Sequence, residues 1–371
     1  MKYALGLVVL VATLSFAGSD FSGGCAETFG ISGFTKAWFY MYGTENHDPE
    51  NTFRAYNWTS FTARLNDDVY GCVGTLFKSW SGNTQIQVCD AFLNMNIIPE
   101  LSIKAGQFKI PFGWAFNSSG GGQYFLDRAA VTGTSDFNNF GGRDVGIKLH
   151  GQLDMVGIDV AYFNGTGTYT DADTSNNKEF AALLTVEPTD WLTLAGGVAM
   201  IGQPTHDVII PAYMEISGDS VIVHPEVTVT VHEWSATGIN AYALVDYPLS
   251  ETADLIFQGE FFQTGYPGPD VIGYDEKAGM AFYGLFGVNI GLENSFLASI
   301  MPAVRYESLS PSNVLVDGAD DPKDNTTVMD YSVNCHLTPK NTIQIGARNV
   351  SYEDEDAIGY TDMYLGWRMN F

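Results

Sequence analysis

The chain of 371 residues has few charged side chains and no long apolar run. Asp, Glu, Lys and Arg make up 16% of it, whereas a soluble domain usually carries about 25%. No stretch reaches the roughly 20 consecutive apolar residues that a membrane-spanning helix needs. Glycine is abundant, with 40 residues, and 13% of the chain is aromatic. A β-barrel with lipid outside and water inside has such a composition, because its two faces average to neutral hydropathy.

Basic residues are also scarce: 17 Lys and Arg stand against 43 Asp and Glu, which gives a net charge of −26. We therefore expect no nucleic-acid partner, which would need a basic surface. No cofactor is predicted, and no spacing of cysteines resembles a zinc site, so no metal is predicted either. The acidic clusters 317–324 and 353–356 could offer carboxylates to Ca²⁺. Neither has EF-hand spacing, and solvated loops are the favoured interpretation.

The first residues have the pattern of a secretory signal. Lys2 is followed by the apolar stretch Ala4–Leu14 and then by Ser15-Phe16-Ala17, which offers small residues before a cleavage site. About 14 apolar residues are too few for the alternative, a membrane anchor. We expect residues 1–17 to be a signal peptide and residues 18–371 to form one barrel domain.

The four cysteines are Cys25, Cys72, Cys89 and Cys335, and they can oxidise in an exported chain. A lipoprotein modified at Cys25 is disfavoured, because the residues before it lack the usual leucine. Cys72 and Cys89 lie at nearly equal distances from the Ser81-Gly82 turn, so a tight hairpin would bring them to neighbouring strands. Either a cross-strand disulfide or two unpaired wall cysteines fit this spacing.

Segments of about ten residues in which apolar and polar side chains alternate recur along the chain. Alternation with period two indicates strands whose two faces have different surroundings. The predicted strands are 29–43, 55–66, 70–79, 84–97, 101–109, 143–150, 156–163, 178–186, 191–202, 238–247, 253–263, 277–289, 296–308, 327–336, 342–352 and 360–371. Their number, about sixteen, is even, as expected of a bacterial single-chain barrel.

The connections between these strands alternate in length. One set has two to four residues, such as Asp67-Asp68 and Ile98-Pro99-Glu100. The other set is mostly long and polar: 44–54, 110–142, 164–177, 203–237, 264–276, 309–326 and 353–359, with 80–83 as its one short member. Short periplasmic turns and long external loops are typical of membrane barrels. The sequence therefore predicts an all-β fold, a transmembrane antiparallel up-and-down β-barrel of about 16 strands, in which 203–237 could form an extra hairpin.

The chain's last strand alternates strictly and ends at Phe371. Met363, Leu365, Trp367 and Met369 share its apolar face with this aromatic residue. Such an end resembles the C-terminal strand by which outer-membrane barrels are recognised by their assembly machinery. We therefore expect that machinery and outer-membrane lipid as partners, and the cell outer membrane of a Gram-negative-type bacterium as the location.

The loop 110–142 is long, aromatic and contains Gly120-Gly121-Gly122. About sixteen strands enclose a water-filled channel, so size selection needs something that narrows it. We expect this third external loop to fold inward, although it could instead pack outward on a neighbouring subunit. The candidates to line the constriction are Phe112, Trp114, Phe116, Asp127 and Arg128.

A family resemblance rests on residues 105–113, AGQFKIPFG, and 125–129, FLDRA. These segments resemble the phosphate-selective porin O and P family. The resemblance implies a trimeric, 16-stranded outer-membrane channel with an inward third loop. It covers about 30 residues locally, and the strand and loop layout extends it to residues 18–371. Phosphate selectivity in that family rests on many lumenal Lys and Arg, which are few in this chain.

Charged residues in the polar register of the strands are the candidate lumenal charges. They are Lys36, Arg64, Lys104, Asp144, Lys148, Glu260, Arg305, Asp330, Arg348 and Arg368. A strongly negative chain raises the local concentration of cations by field focusing. The sequence therefore favours a porin, a passive diffusion channel for small hydrophilic solutes or ions with a mild cation preference.

Three functions are alternatives to a passive diffusion channel. A phosphate or oligoanion channel would need a ladder of cations. A non-conducting barrel could serve adhesion through its large loops, above all 203–237. An enzyme is not expected: Gly218-Asp219-Ser220 with His224 nearby is the nearest approach to a nucleophile motif, and four residues along a loop do not supply a catalytic triad.

Overall fold

A computed structural model describes residues 26–43, 51–79, 86–167, 178–203, 206–210, 213–217, 220–224, 227–231, 234–265, 278–293, 296–311, 325–353 and 358–371. The predicted signal peptide, Cys25, the Ser81-Gly82 turn, the acidic cluster 317–324 and most of 353–356 lie outside these ranges. Within them, no helix is long and apolar enough to cross a membrane.

Sixteen antiparallel strands form one closed barrel, each paired with its neighbours in the chain order. They are β1 Thr28–Met41, β2 Asn51–Arg64, β3 Val69–Lys78, β4 Gln87–Ile98, β5 Leu101–Lys109, β6 Arg143–Leu153, β7 Val156–Phe163, β8 Glu179–Thr189, β9 Leu192–Gln203, β14 Trp234–Ser250, β15 Ala253–Gly265, β16 Gly279–Gly291, β17 Ser299–Ser310, β18 Thr326–Thr338, β19 Asn341–Tyr352 and β20 Tyr360–Asn370. The predicted fold class and strand number are confirmed. The boundaries differ from the predicted ones by a few residues.

The last strand closes the sheet against the first. β20 pairs with β1 from Phe34 opposite Asn370 to Met41 opposite Met363. Beyond that ladder, Gly33 and Phe371 exchange two backbone hydrogen bonds of 3.0 and 2.9 Å. The closure leaves no edge strand whose backbone donors and acceptors would lack partners.

The two faces of the wall differ as the alternation predicts. On β20, Asp362, Tyr364 and Arg368 are buried, whereas Leu365 and Trp367 are 51% and 57% exposed. A closed sheet has one outer and one inner face, so exposed apolar and buried polar side chains are separated by the wall. We call the face that carries the buried polar residues the inner face.

Four further strands lie between β9 and β14. β11 (Tyr213–Ser217) pairs with β12 (Ser220–His224), and β10 (His206–Ile210) pairs with β13 (Val227–Val231). The alternation noted in 203–237 thus corresponds to a backbone ladder of two small antiparallel sheets. Ser220 and His224, the weak nucleophile motif, belong to the strand β12.

Cys72 and Cys89 form no disulfide with each other. Cys72 lies opposite Phe92, and the register shifts between Gly74 and Thr75 so that Cys89 falls between the partners of those two residues. Three residues along a strand separate Cys89 from the position opposite Cys72, or about 10 Å. A disulfide needs Cα atoms within about 7 Å, so the register of β3 and β4 excludes the pairing. Cys335 forms no disulfide within the described ranges either.

Candidate functional site

A cavity of about 790 Å³ lies between the strands β1–β6 and the segment 110–142. Phe34 of β1, Trp58 of β2 and Lys104 of β5 all line it. Phe34 lies on the same side of β1 as the buried Lys36, and the buried Asp90 of β4 also lines the cavity. The cavity therefore lies on the inner face, and we call it the β1–β6 cavity.

The segment 110–142 begins with a contact to β15. The carboxylate of Glu260 accepts hydrogen bonds from the backbone N–H groups of Trp114 and Ala115, at 2.6 and 2.8 Å. Gly113 precedes them with φ +73°, and a Cβ there would lie 2.7 Å from the ring of Phe262 and 2.9 Å from Glu260. Only glycine fits this conformation and this close approach.

Phe112 does not line an open constriction, and its assignment there is wrong. Its side chain is fully buried and packs against Phe140 and Phe262, with ring centroids 5.7 and 6.0 Å away. Burial of an aromatic ring removes a large apolar area from water. Phe112 therefore anchors the segment to the inner face instead of facing the solute path.

A buried group of four charged side chains holds the middle of the segment. Arg305 Nη2 lies 2.6 Å from Asp330 Oδ2, Arg348 Nε lies 2.8 Å from Asp330 Oδ1, and Arg305 Nε lies 2.9 Å from Glu307 Oε1. We call these residues the Arg305 cluster. Two arginines balance two carboxylates, and such mutual compensation is what buried charges require.

The Arg305 cluster also binds the backbone of the segment. Arg305 Nη2 and Arg348 Nη2 each donate to the carbonyl oxygen of Arg128 at 3.1 Å, and Glu307 Oε2 accepts from the Ala130 N–H at 2.5 Å. The Arg305 guanidinium lies 4.6 Å from the ring centroid of Phe125. The charges of Arg305 and Arg348 are thus used in contacts within the protein.

Residues 123–126 are held in the same way by side chains of β1 and β18–β20. Four side chains donate to backbone carbonyl groups of the segment. These bonds run from Lys36 to Leu126 at 3.3 Å, from Asn334 to Tyr124 at 2.9 Å, from Gln344 to Gln123 at 3.1 Å, and from Arg368 to Gln123. Side chains of the first and the last strands thus fix this part of the segment, and the β1–β6 cavity lies beside it.

The structure separates the ten predicted lumenal charges into groups. Six of them hold the segment or the Arg305 cluster: Lys36, Glu260, Arg305, Asp330, Arg348 and Arg368. Lys104 and Lys148 line the β1–β6 cavity. Asp144 accepts the N–H groups of Gly165 and Gly167, both at 2.9 Å. Arg64 is exposed at the end of β2 beside the ring of Tyr70, outside the cavity lining.

The charged residues that line the β1–β6 cavity are mostly basic. Its basic lining residues are Lys78, Lys104, Lys109, Arg128, Arg143 and Lys148. Among the described residues that line it, Asp90 is the only carboxylate. Sequence reasoning overlooked Lys78, Lys109 and Asp90. Alternation along the strands could have identified Lys78 and Asp90, because they are an even number of positions away from inner-face residues of β3 and β4.

Arg143 and Lys148 have carboxylate partners. Arg143 Nε lies 2.8 Å from Asp90 Oδ1, and Lys148 Nζ lies 3.0 Å from Asp159 Oδ1. These pairs reduce the positive charge that a solute in the cavity would meet.

Lys104, Lys109 and Arg128 form no ion pair in the part of the chain that the structure describes. Lys109 Nζ donates to the Asn117 and Ser118 carbonyl groups at 2.8 and 3.1 Å. Lys104 Nζ lies 4.2 Å from the Phe92 ring centroid. Arg128 donates to the Ala115 carbonyl at 2.6 Å, and burial lowers the pKa of its guanidinium, which stays charged near neutral pH. The cavity is therefore positive.

The remaining constriction candidates take different places. Phe116 and Arg128 line the β1–β6 cavity, whereas Trp114 lies outside that lining with its ring 6.1 Å from Tyr242. Asp127 is half-buried, and its carbonyl oxygen accepts a hydrogen bond of 3.3 Å from Arg305. Of the five candidates, the structure thus brings two to the cavity.

Fold and cavity define a closed sixteen-stranded barrel with a positively charged inner space. Solved structures with this fold include the outer-membrane channel DcaP of Acinetobacter baumannii, with a TM-score of 0.60 and 13% identity over 96% of this chain and 100% of that one. OprB of Pseudomonas putida has a TM-score of 0.60 and 9% identity over 96% and 100%. The trimer form of in-vitro folded OmpT from Vibrio cholerae has 0.56 and 9% over 93% and 99%. No protein-family model and no curated protein matches the chain, and membership of the phosphate-selective porin O and P family stays a prediction.

Proposed function

We propose that the protein is a porin, a passive diffusion channel for small hydrophilic solutes in the outer membrane of a Gram-negative-type bacterium. The observation that carries this proposal is a closed wall with apolar side chains outside and a charged cavity inside. Only a closed barrel or helices can satisfy every backbone group in a bilayer. Trp191 and Tyr247, with ring centroids 5.2 Å apart beside short turns, fit an interfacial aromatic girdle.

The segment 110–142 is the constriction of this channel. A sixteen-stranded barrel without a plug would enclose a wide aqueous channel. The contacts of the segment to β1 and β15–β20 would hold it inside and leave the β1–β6 cavity as the solute path. Because the anchors are hydrogen bonds from buried charged and amide side chains, the path keeps a fixed width during diffusion.

The solute path favours small anions over cations. The net charge of −26 suggests the opposite preference, but a mobile ion responds mainly to charges within a Debye length, about 10 Å at 0.1 M salt. Among the described residues, six basic side chains and one carboxylate line the cavity. We therefore replace the cation preference expected from composition with an anion preference.

The channel works as a homotrimer in this proposal. The resemblance noted above implies a trimer, and one solved structure of similar fold is described as a trimer form. Chemical cross-linking of the purified protein in mild detergent tests the assembly: we expect bands up to three chains. A product that stops at one chain would contradict the trimer without affecting the channel.

Single-channel recording with the purified protein in planar bilayers tests the function. We expect stepwise conductance, and in a potassium chloride gradient a reversal potential that shows chloride preferred over potassium. A protein that inserts but never conducts would favour the adhesion alternative. A potassium preference would contradict the anion path.

Replacing residues 114–128 by a short Gly-Ser linker tests the constriction. The unit conductance should rise, because the path widens toward the full barrel lumen. The matched control replaces 206–231, which includes β10–β13 and lies outside the barrel wall. That variant should keep the unit conductance of the unaltered protein. Equal conductance of the two variants would refute the constriction.

A further inference from the structure

The β1–β6 cavity has an aromatic wall as well as a basic one. Phe34, Tyr56 and Trp58 line it and form a stack, with the Phe34 ring centroid 5.5 Å from that of Tyr56 and 6.2 Å from that of Trp58. The interplanar angles are 12° and 24°. These rings belong to β1 and β2, whereas Lys104 and Lys148 of the basic wall belong to β5 and β6.

The three rings of this stack differ in how far they pack against the segment. Phe34 is buried beneath its glycines, since a Cβ at Gly120 would lie 2.6 Å from the Phe34 ring. Tyr56 packs in part against the hydrophobic cluster that contains Leu126. Tyr56 and Trp58 are both half-buried and line the cavity. Aromatic rings that line the water-filled path do not stabilise a hydrated inorganic ion. They can stabilise a solute that carries an aromatic ring.

The aromatic and the basic residues line one and the same cavity, which has a volume of about 790 Å³. A benzene ring with a carboxylate fits within that volume and can contact both kinds of side chain. Ring contacts with Tyr or Trp contribute about 0.5–1.5 kcal/mol each beyond the burial of area.

We propose that the β1–β6 cavity binds small organic anions that carry an aromatic ring, with aromatic carboxylates as the solute class. The carboxylate lies against the positive side chains of Lys104 and Arg128, and the ring lies against Tyr56 and Trp58. The inference rests on the proposed channel function and adds the solute class. A neutral aromatic compound lacks the charge for the basic wall, and acetate or phosphate lacks the ring.

Block of the chloride current by potassium benzoate, potassium acetate and inorganic phosphate tests the proposal. Benzoate should halve the single-channel chloride current at a concentration roughly two- to tenfold lower than acetate does, the range that one ring contact supplies. Trp58→Leu should remove most of this difference, because the ring of benzoate loses an aromatic partner in the cavity. The matched control is Tyr247→Leu, which removes an aromatic residue outside the cavity lining and should keep the difference.

The outcomes separate this proposal from the channel function. Equal half-blocking concentrations of benzoate and acetate in a chloride-selective channel would overturn the aromatic site and leave the channel intact. Stronger block by phosphate than by benzoate would assign the cavity to inorganic oxyanions. Absence of any conductance would instead refute the channel. If Trp58→Leu does not insert, Tyr56→Leu provides the same comparison.

Discussion

Replacing Lys104 by Gln tests whether the cavity lining sets the ion preference. Lys104 lines the β1–β6 cavity, and its ammonium group forms no ion pair within the described ranges. Its removal therefore leaves no buried carboxylate without a partner, and the wall should stay intact. The change isolates one unit charge beside the solute path.

The expected size of the effect follows from the cavity dimensions. A sphere of about 790 Å³ has a radius of about 6 Å, and two unit charges at that distance in water interact by about 0.7 kcal/mol. Neutralising Lys104 destabilises an anion and relieves a cation by this amount, so their permeability ratio changes by about 1.4 kcal/mol, or tenfold. With Debye lengths of about 10 Å at 0.1 M and 30 Å at 0.01 M, the change falls to about fourfold and sevenfold.

Reversal potentials in potassium chloride gradients at both salt levels measure this ratio. The control is Lys340→Gln, which removes the same charge from an exposed residue beside the short turn after β18. We expect the control to match the unaltered protein. If Lys104→Gln leaves the ratio unchanged, or if both variants shift it equally, the ion preference does not come from the cavity lining. A shift that is the same at both salt levels would refute its Coulombic origin.

Three further predictions follow from other contacts of the inner face. Asp90→Asn removes the one carboxylate that lines the cavity in the described ranges and leaves Arg143 without its 2.8 Å partner, so the chloride over potassium ratio should rise by about fourfold at 0.1 M; an unchanged ratio would contradict this. Arg305→Met leaves the Arg305 cluster with unbalanced carboxylates, which costs about 3–5 kcal/mol, and should increase open-channel current noise as the segment loosens; a current as quiet as before would show that the cluster does not hold it. Peptide mass mapping without reductant should find no disulfide between Cys72 and Cys89, and a peptide pair joined through them would contradict the register of β3 and β4.

The sequence predicted the wall well because the wall obeys local rules. Alternation with period two depends only on which side of a strand each residue faces, and it located all sixteen barrel strands to within a few residues. It left the Cys72–Cys89 pairing open, because the register of a hairpin depends on its turn geometry and spacing alone places the partners only to within a few residues.

The candidate site was predicted less completely, because its parts are far apart in the chain. Alternation along the strands predicts the inner face for both Lys104 and Arg305. In the structure Lys104 lines the β1–β6 cavity, whereas Arg305 is buried against the segment. The cation preference expected from composition stays untested, because the net charge of the chain counts every acid, whereas Asp90 is the one carboxylate among the described residues that line the cavity.

The amino-acid sequence alone thus determined a closed β-barrel with one apolar and one polar face and a long third loop. It could do so because apolar and polar residues alternate along each strand. Only the tertiary structure decided which inner charges stay beside open space and which hold the segment. That decision depends on contacts such as Arg305 to the carbonyl of Arg128, which are 177 positions apart. Burial and pairing of a charge arise from where the segment crosses the barrel, and no local pattern encodes that position.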